Sequence, residues 1–224
     1  MATTFQFLFD NAESISIDTQ VNVAQTISRD NTITALERGG QTWRFTVKMP
    51  DGISYETWRP HLAAIDYAGK SSRAGVEYIY LNNSGYVDWF TKYQGDAPTL
   101  TGWAGTLIDS KTLDNINPST TPALGDYTLK AGDLIKIKSV DGVTQTLDYN
   151  VYRIVSDVQT PADTATLHRS ANEYSGSATN VTFDVGPANT YWQVKMVQYP
   201  QWNIFARNQV SWNGSFVFYE VIQQ

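Results

Sequence analysis

Cysteine is absent from the 224 residues, and histidine occurs only twice. The first absence removes disulfides, thiolate metal sites and a cysteine nucleophile together. The second leaves little imidazole for a metal. His61 falls in a helical segment and His168 ends a strand, and neither has a second His or a Glu at ligand spacing. Basic charge is also scarce. Lys and Arg number 16 against 22 Asp and Glu, a formal charge of -6. A surface that grips nucleic-acid phosphates needs a clustered basic excess, which this composition does not supply. No apolar run approaches the roughly 20 residues of a membrane-spanning helix. The opening MATTFQFLFD carries no basic segment and no long apolar core, so it does not read as a signal peptide. The expectation is a protein made in the cytoplasm with no membrane partner.

Catalytic motifs are missing as well. There is no Gly-x-Ser-x-Gly elbow, no phosphate-cradling loop with its lysine, and no calcium loop of alternating aspartates closed by a glutamate. Glycoside cleavage needs only two facing carboxylates, and acidic residues are plentiful. However, Asp126, Asp133, Asp141, Asp148 and Asp157 mostly adjoin glycine or a strand end, where aspartate makes turns. Asp141-Gly142 reads as the tip of a β-hairpin. The chain is therefore expected not to be an enzyme, with no cofactor, no metal and no catalytic residue.

What is present is an aromatic-rich, strand-forming sequence. Hydrophobic residues make up 42% and charged residues 17%, with 13 Tyr, 9 Phe and 7 Trp, so the chain buries a core. In Trp43-Arg44-Phe45-Thr46-Val47-Lys48 the apolar residues Trp43, Phe45 and Val47 share one face. Gly39-Gly40 before this run and Pro50-Asp51-Gly52 after it are turn chemistry. Further strands are expected at Val76–Leu81, Leu134–Lys138, Tyr149–Val155, Ala165–His168, Trp192–Gln198 and Phe216–Ile222, the last contributing Phe216 and Phe218 to the core. One segment keeps helical spacing. Ser54 to Tyr67 places Trp58, Leu62 and Ile65 on one stripe, with Ser54 as N-cap and Gly69 beyond the last turn. Pro60 favours a start nearer Trp58. Asn115–Ala123, with Pro118 and Pro122, reads as a surface loop. Trp202 and Trp212 stand open between packing anchors and exposed platforms for sugar rings.

Between about Asp96 and Gly176 the chain is nearly free of Trp and Phe, with only Trp103 interrupting, and aromatic density returns from Phe183. This predicts a split domain, residues 1–95 and 180–224, around an inserted domain at 96–179. Two stretches then bear a family resemblance. Leu129-Lys130-Ala131-Gly132-Asp133-Leu134-Ile135-Lys136-Ile137, followed by Val151-Tyr152-Arg153-Ile154-Val155 and Ala165-Thr166-Leu167, is similar to the inserted segment of phage tail proteins. Gln41–Val47 ahead of a short helix, with Gly214–Ile222 at the end, resembles the siphophage distal tail protein family, particularly the T5-like kind. In residue terms Gly132 permits a tight turn and Asp133 can bond its backbone, so Gly132, Asp133 and Tyr152 mark a fold and not an active site.

The resemblance implies a mainly β chain: a split β-sandwich or barrel domain with one helix, carrying an inserted barrel like the oligonucleotide/oligosaccharide-binding (OB) fold. It implies a structural virion protein of the tail, a homo-oligomeric ring, usually hexameric, between the tail tube protein and the tail tip or baseplate hub. DNA would be a partner only in passing through the channel, whose wall the net charge predicts to be acidic. The N-terminal arm, Phe5, Phe7 and Phe9, is expected at subunit interfaces. Two alternatives remain open: a carbohydrate-binding tail module for host attachment, and another tail ring component such as the tube or hub protein.

Overall fold

The computed structural model describes residues 4–20, 23–27, 33–37, 41–70, 76–81, 88–97, 100–118, 127–144, 150–160, 164–205 and 208–222. It is 50% strand and 14% helix, a mainly β chain of the sandwich/barrel class. Two compact units divide it. The outer one combines Met1–Glu77 with Val194–Val221, and the inner one spans Tyr78–Gln193.

The outer unit opens with helix α1 (Gln6–Asp10), then strands β1 (Ser14–Gln20), β2 (Val23–Ile27), β3 (Ile33–Glu37), β4 (Thr42–Lys48) and β5 (Ile53–Ser54), and helix α2 (Tyr55–Lys70). Strand β6 (Val76–Tyr80) leads out of it. The inner unit continues with α3 (Asp88–Thr91), β7 (Trp103–Leu107), β8 (Thr112–Asn117), β9 (Tyr127–Leu129), β10 (Leu134–Val140), β11 (Val143–Thr144), β12 (Val151–Arg153), β13 (Val158–Thr160), β14 (Ala165–Thr166) and β15 (Thr179–Val185). Strand β16 (Tyr191–Gln198) returns to the outer unit, which ends in β17 (Gln201–Phe205), β18 (Gln209–Asn213) and β19 (Phe216–Glu220).

The outer unit is built on a sheet of order β1-β4-β19-β16-β6. Strand β4 alternates as its sequence demands, with Trp43, Phe45 and Val47 buried. Phe45 sits opposite Phe218 and Val47 opposite Phe216 on the antiparallel neighbour β19. Helix α2 buries Trp58, Leu62 and Ile65 on one stripe. It starts at Tyr55 and not near Trp58, so Pro60 lies in its interior. The first helical N–H, of Tyr55, donates to the Asn208 carbonyl at 2.8 Å, which fixes the earlier start, and Pro60 lies on the exposed side of the helix. The helix also runs on through Gly69 to Lys70.

The inner unit holds the second core, in which Trp103, Leu113, Ile135, Tyr152 and Phe183 are all fully buried. Its sheet runs β11-β10-β15-β7-β8-β14, and β12 pairs with the other side of β10. A bridge between Ile154 and Leu167 joins the end of β12 to the end of β14. The Val155 N–H donates to the Thr166 carbonyl and the His168 N–H to the Arg153 carbonyl, each at 3.0 Å, so the ladder returns on itself. A ladder curled this far leaves little open edge to pair with other chains. Asp141 and Gly142 form the predicted hairpin tip between β10 and β11, both at positive φ.

Two expectations need correction. The boundaries fall at 77/78 and 193/194, not at 95/96 and 179/180. Strand β15, expected in the outer domain, lies between β10 and β7 in the inner sheet, and its Phe183 belongs to the inner core. Aromatic density marked core residues on both sides of the division, so it did not locate it. Part of the expected loop Asn115–Ala123 is strand: residues 115–117 belong to β8, and 119–123 lie outside the described residues. Gly39, Gly40, Asp126, Asp148 and Tyr149 also lie outside them.

Candidate functional site

The turn that carries the family resemblance is a clamp. Gly132 takes φ +101, and the Asp133 N–H donates to the Lys130 carbonyl at 2.9 Å. The buried Asp133 carboxylate accepts the N–H of Gln94 at 2.9 Å and that of Lys130 at 2.8 Å. Burial pushes this carboxyl above its usual range, and the two backbone donors pull the other way. The side chain pins a distant loop to the start of β10, a structural task. Gly132→Ala tests the turn. A methyl there meets nothing within 4 Å, so the cost is backbone strain alone, about 1–2 kcal/mol. It should appear as a lower melting temperature of the inner unit.

The inner unit holds a second group of polar side chains around Tyr152. Tyr152 is fully buried and its hydroxyl donates to Glu173, while accepting the Asn172 N–H at 3.1 Å. Arg169, also buried, donates to the Val151 carbonyl at 2.9 Å and lies 5.2 Å from the Tyr152 ring centre. His168 accepts the Arg153 N–H on Nδ1 at 3.0 Å. Burial first, then the positive charges of Arg169, Arg153 and Lys111, push its pKa down to about 3. It is therefore a neutral acceptor in the fold across the physiological range and a weak base. Sequence reading singled out Tyr152 but missed Arg169 and Glu173, which sit in an irregular segment with no motif around them.

His61 is exposed on α2 and stacks on Phe7, with ring centres 3.8 Å apart and planes 6° from parallel. Among the described residues, no group of three His, Cys, Asp or Glu could hold a metal ion. None of the described helices is long and apolar enough to cross a membrane.

The N-terminal arm differs from its expectation. Phe5 and Phe9 are buried within their own unit, against Phe218 and, for Phe9, Phe45. Residues consumed by the core do not serve a subunit interface. Phe7 alone is partly exposed, between Trp58 and His61. The apolar surface of this unit lies elsewhere. Strand β17 is the terminal strand of the sheet β17-β18-β5, and Ile204 and Phe205 on it are 51% and 44% exposed. Trp202 and Trp212 face each other across β17 and β18. Tyr55 stacks on Trp202 at 5.5 Å, and Phe216 meets Trp212 edge-on at 5.1 Å. Each indole thus packs on an aromatic side chain outside the hairpin. Among the described residues, strands β2 and β3 form a separate two-stranded ladder. The chain matches no protein-family model, and no curated protein shows significant sequence similarity to it.

Proposed function

We propose that this chain is a structural subunit of a ring at the distal end of a phage tail. The ring joins the tail tube to the tail tip or baseplate hub and continues the DNA channel. The tail assignment is supported by the order of the Ala131-Gly132-Asp133, Val151-Tyr152-Arg153 and Gly214–Ile222 stretches. The observation that carries an assembly role is β17, a terminal strand with two large apolar side chains turned to solvent. Such an edge offers unpaired backbone groups together with apolar area, which is what a neighbouring copy would cover. In a cyclic oligomer the same contact repeats head to tail until rotation closes it.

The test is the mass in solution and negative-stain images of the purified chain. Rings with a central hole are expected, and a stable monomer at micromolar concentration would refute the reading. Placing a charge on the edge with Phe205→Lys should dissolve the rings into folded monomers, because that position is 44% exposed and stands outside the buried core.

A further inference from the structure

The inner unit has a concavity of about 240 Å³ on the outward face of its sheet. Strands β10, β15 and β7 lie side by side there, and Ser139, Thr182, Asn180, Thr106 and Ala104 line it, with Asn115 contributed by β8. Two irregularities coincide at this place. The β10–β15 register shifts between Ile137 and Ser139, and the β7–β8 register shifts between Ala104 and Thr106. At the second, Asn115 and Ile116 stand against the single Gly105, and Asn115 takes φ +53. Bulges re-aim side chains, and strained non-glycine residues gather where a site is shaped. Gly105 lets the strands approach at the second shift, since a Cβ there would come within 2.9 Å of the side chain of the core residue Leu113.

The lining has a definite chemistry. Ser139 and Thr182 share a hydrogen bond of 2.6 Å, and the Thr106 hydroxyl donates to Asn180 Oδ1 at 3.0 Å. Both amide hydrogens on Asn180 Nδ2 are then left to a ligand or water, and each hydroxyl keeps a lone pair. Among the described residues, no Lys, Arg or His lines the space. The charges next to it carry an acidic excess: Asp114 accepts from Asn115 Nδ2 at 3.4 Å, Asp141 accepts the Asn180 N–H at 3.0 Å, and Lys138, at the β10 bulge beside Ser139, is paired with Asp184. With that lysine already neutralised, phosphates and carboxylates would meet a net repulsive field. A purely apolar ligand would strand the hydroxyls and amides. What remains is an uncharged polyol, with hydroxyls for the donors and acceptors and a C–H face for Ala104. The volume is below the roughly 300–1,000 Å³ of drug-sized sites, which leaves room for a single ring.

We propose that this concavity binds one uncharged sugar residue, held by Asn180, Thr106 and the Ser139–Thr182 hydroxyl pair. It goes beyond the ring reading and does not depend on it.

Saturation-transfer NMR on the full chain tests it, using methyl glycosides of neutral hexoses and N-acetylhexosamines, each alone and within a trisaccharide. Sialic acid and glucose 6-phosphate serve as anionic controls. Transfer to at least one neutral glycoside and to neither anion is expected. Stronger transfer from a trisaccharide would place the residue in a glycan chain; equal transfer would make the free sugar sufficient. Asn180→Ala, which removes the amide, and Ala104→Leu, which fills the space, should each weaken binding by about tenfold or more while leaving the melting temperature unchanged. Both positions are exposed, so the fold is not at stake. Absence of transfer from every neutral glycoside, equal transfer to the anions, or retention of the signal in either folded variant would overturn the proposal.

Discussion

Replacing Phe5 by Ala is expected to destabilise the outer unit by about 3–5 kcal/mol, the cost of deleting a fully buried aromatic ring and leaving a cavity. The ring is 0% exposed and lies 5.2 Å from that of Phe218, which itself meets Phe9 at the same distance. Three aromatic side chains, from the N-cap of α1, from α1 and from β19, thus interlock, and the space left by one cannot collapse without moving the helix. The backbone N–H of Phe5 donates to Glu77 at 2.7 Å and survives the substitution, so the loss isolates the ring. Phe7→Ala is the internal comparison. Phe7 keeps partial exposure and packs on an exposed imidazole, so its loss should cost about 1 kcal/mol. Denaturant unfolding of both variants measures the difference through the midpoint at constant slope. Equal, small effects would mean that the arm is peripheral, as its sequence first indicated.

Tyr152→Phe keeps the ring, and with it the packing and the contact with Arg169, but removes the hydroxyl that donates to Glu173. Loss of a hydrogen bond to a buried carboxylate costs about 1.5–3 kcal/mol at neutral pH. The cost should depend on pH in a definite direction. Desolvation raises the Glu173 pKa, while Tyr152, backbone donors and the Arg169 charge pull it down. A carboxyl with a raised folded pKa favours the fold in its protonated form. Its contribution is present below the ordinary carboxylate pKa and is lost as pH rises through the folded value. Without the Tyr152 donor the folded pKa rises further. The variant should therefore lose more stability near pH 7 than near pH 4, and parallel pH–stability curves for the two proteins would exclude this account.

Much of the scaffold was legible because it obeys local rules. Strand β4 alternates, α2 carries a 3.6-residue stripe, and Gly132 with Asp133 makes the turn its chemistry allows. The misreadings have one physical root. Phe5 and Phe9 were assigned to an interface because five residues of α1 are too few to show a period, and burial there depends on β4 and β19, far along the chain. The domain boundary was misplaced because β15 looks like any apolar strand, and only its pairing with β10 and β7 assigns it to the inner sheet.

The candidate sites were less legible still. The sugar-sized concavity needs Ser139, Asn180 and Thr106 from three strands, brought together by two register shifts that leave no trace in composition. Arg169 and Glu173 carry no motif and acquire meaning only around the Tyr152 ring. By itself the sequence determined the mainly β class and the helix α2, since periodicity and turn chemistry are encoded within a few residues. Which aromatics are core, where the two units part and which polar side chains converge were decided by the tertiary structure alone, because strand partners and bulges bring together residues that sequence spacing does not relate.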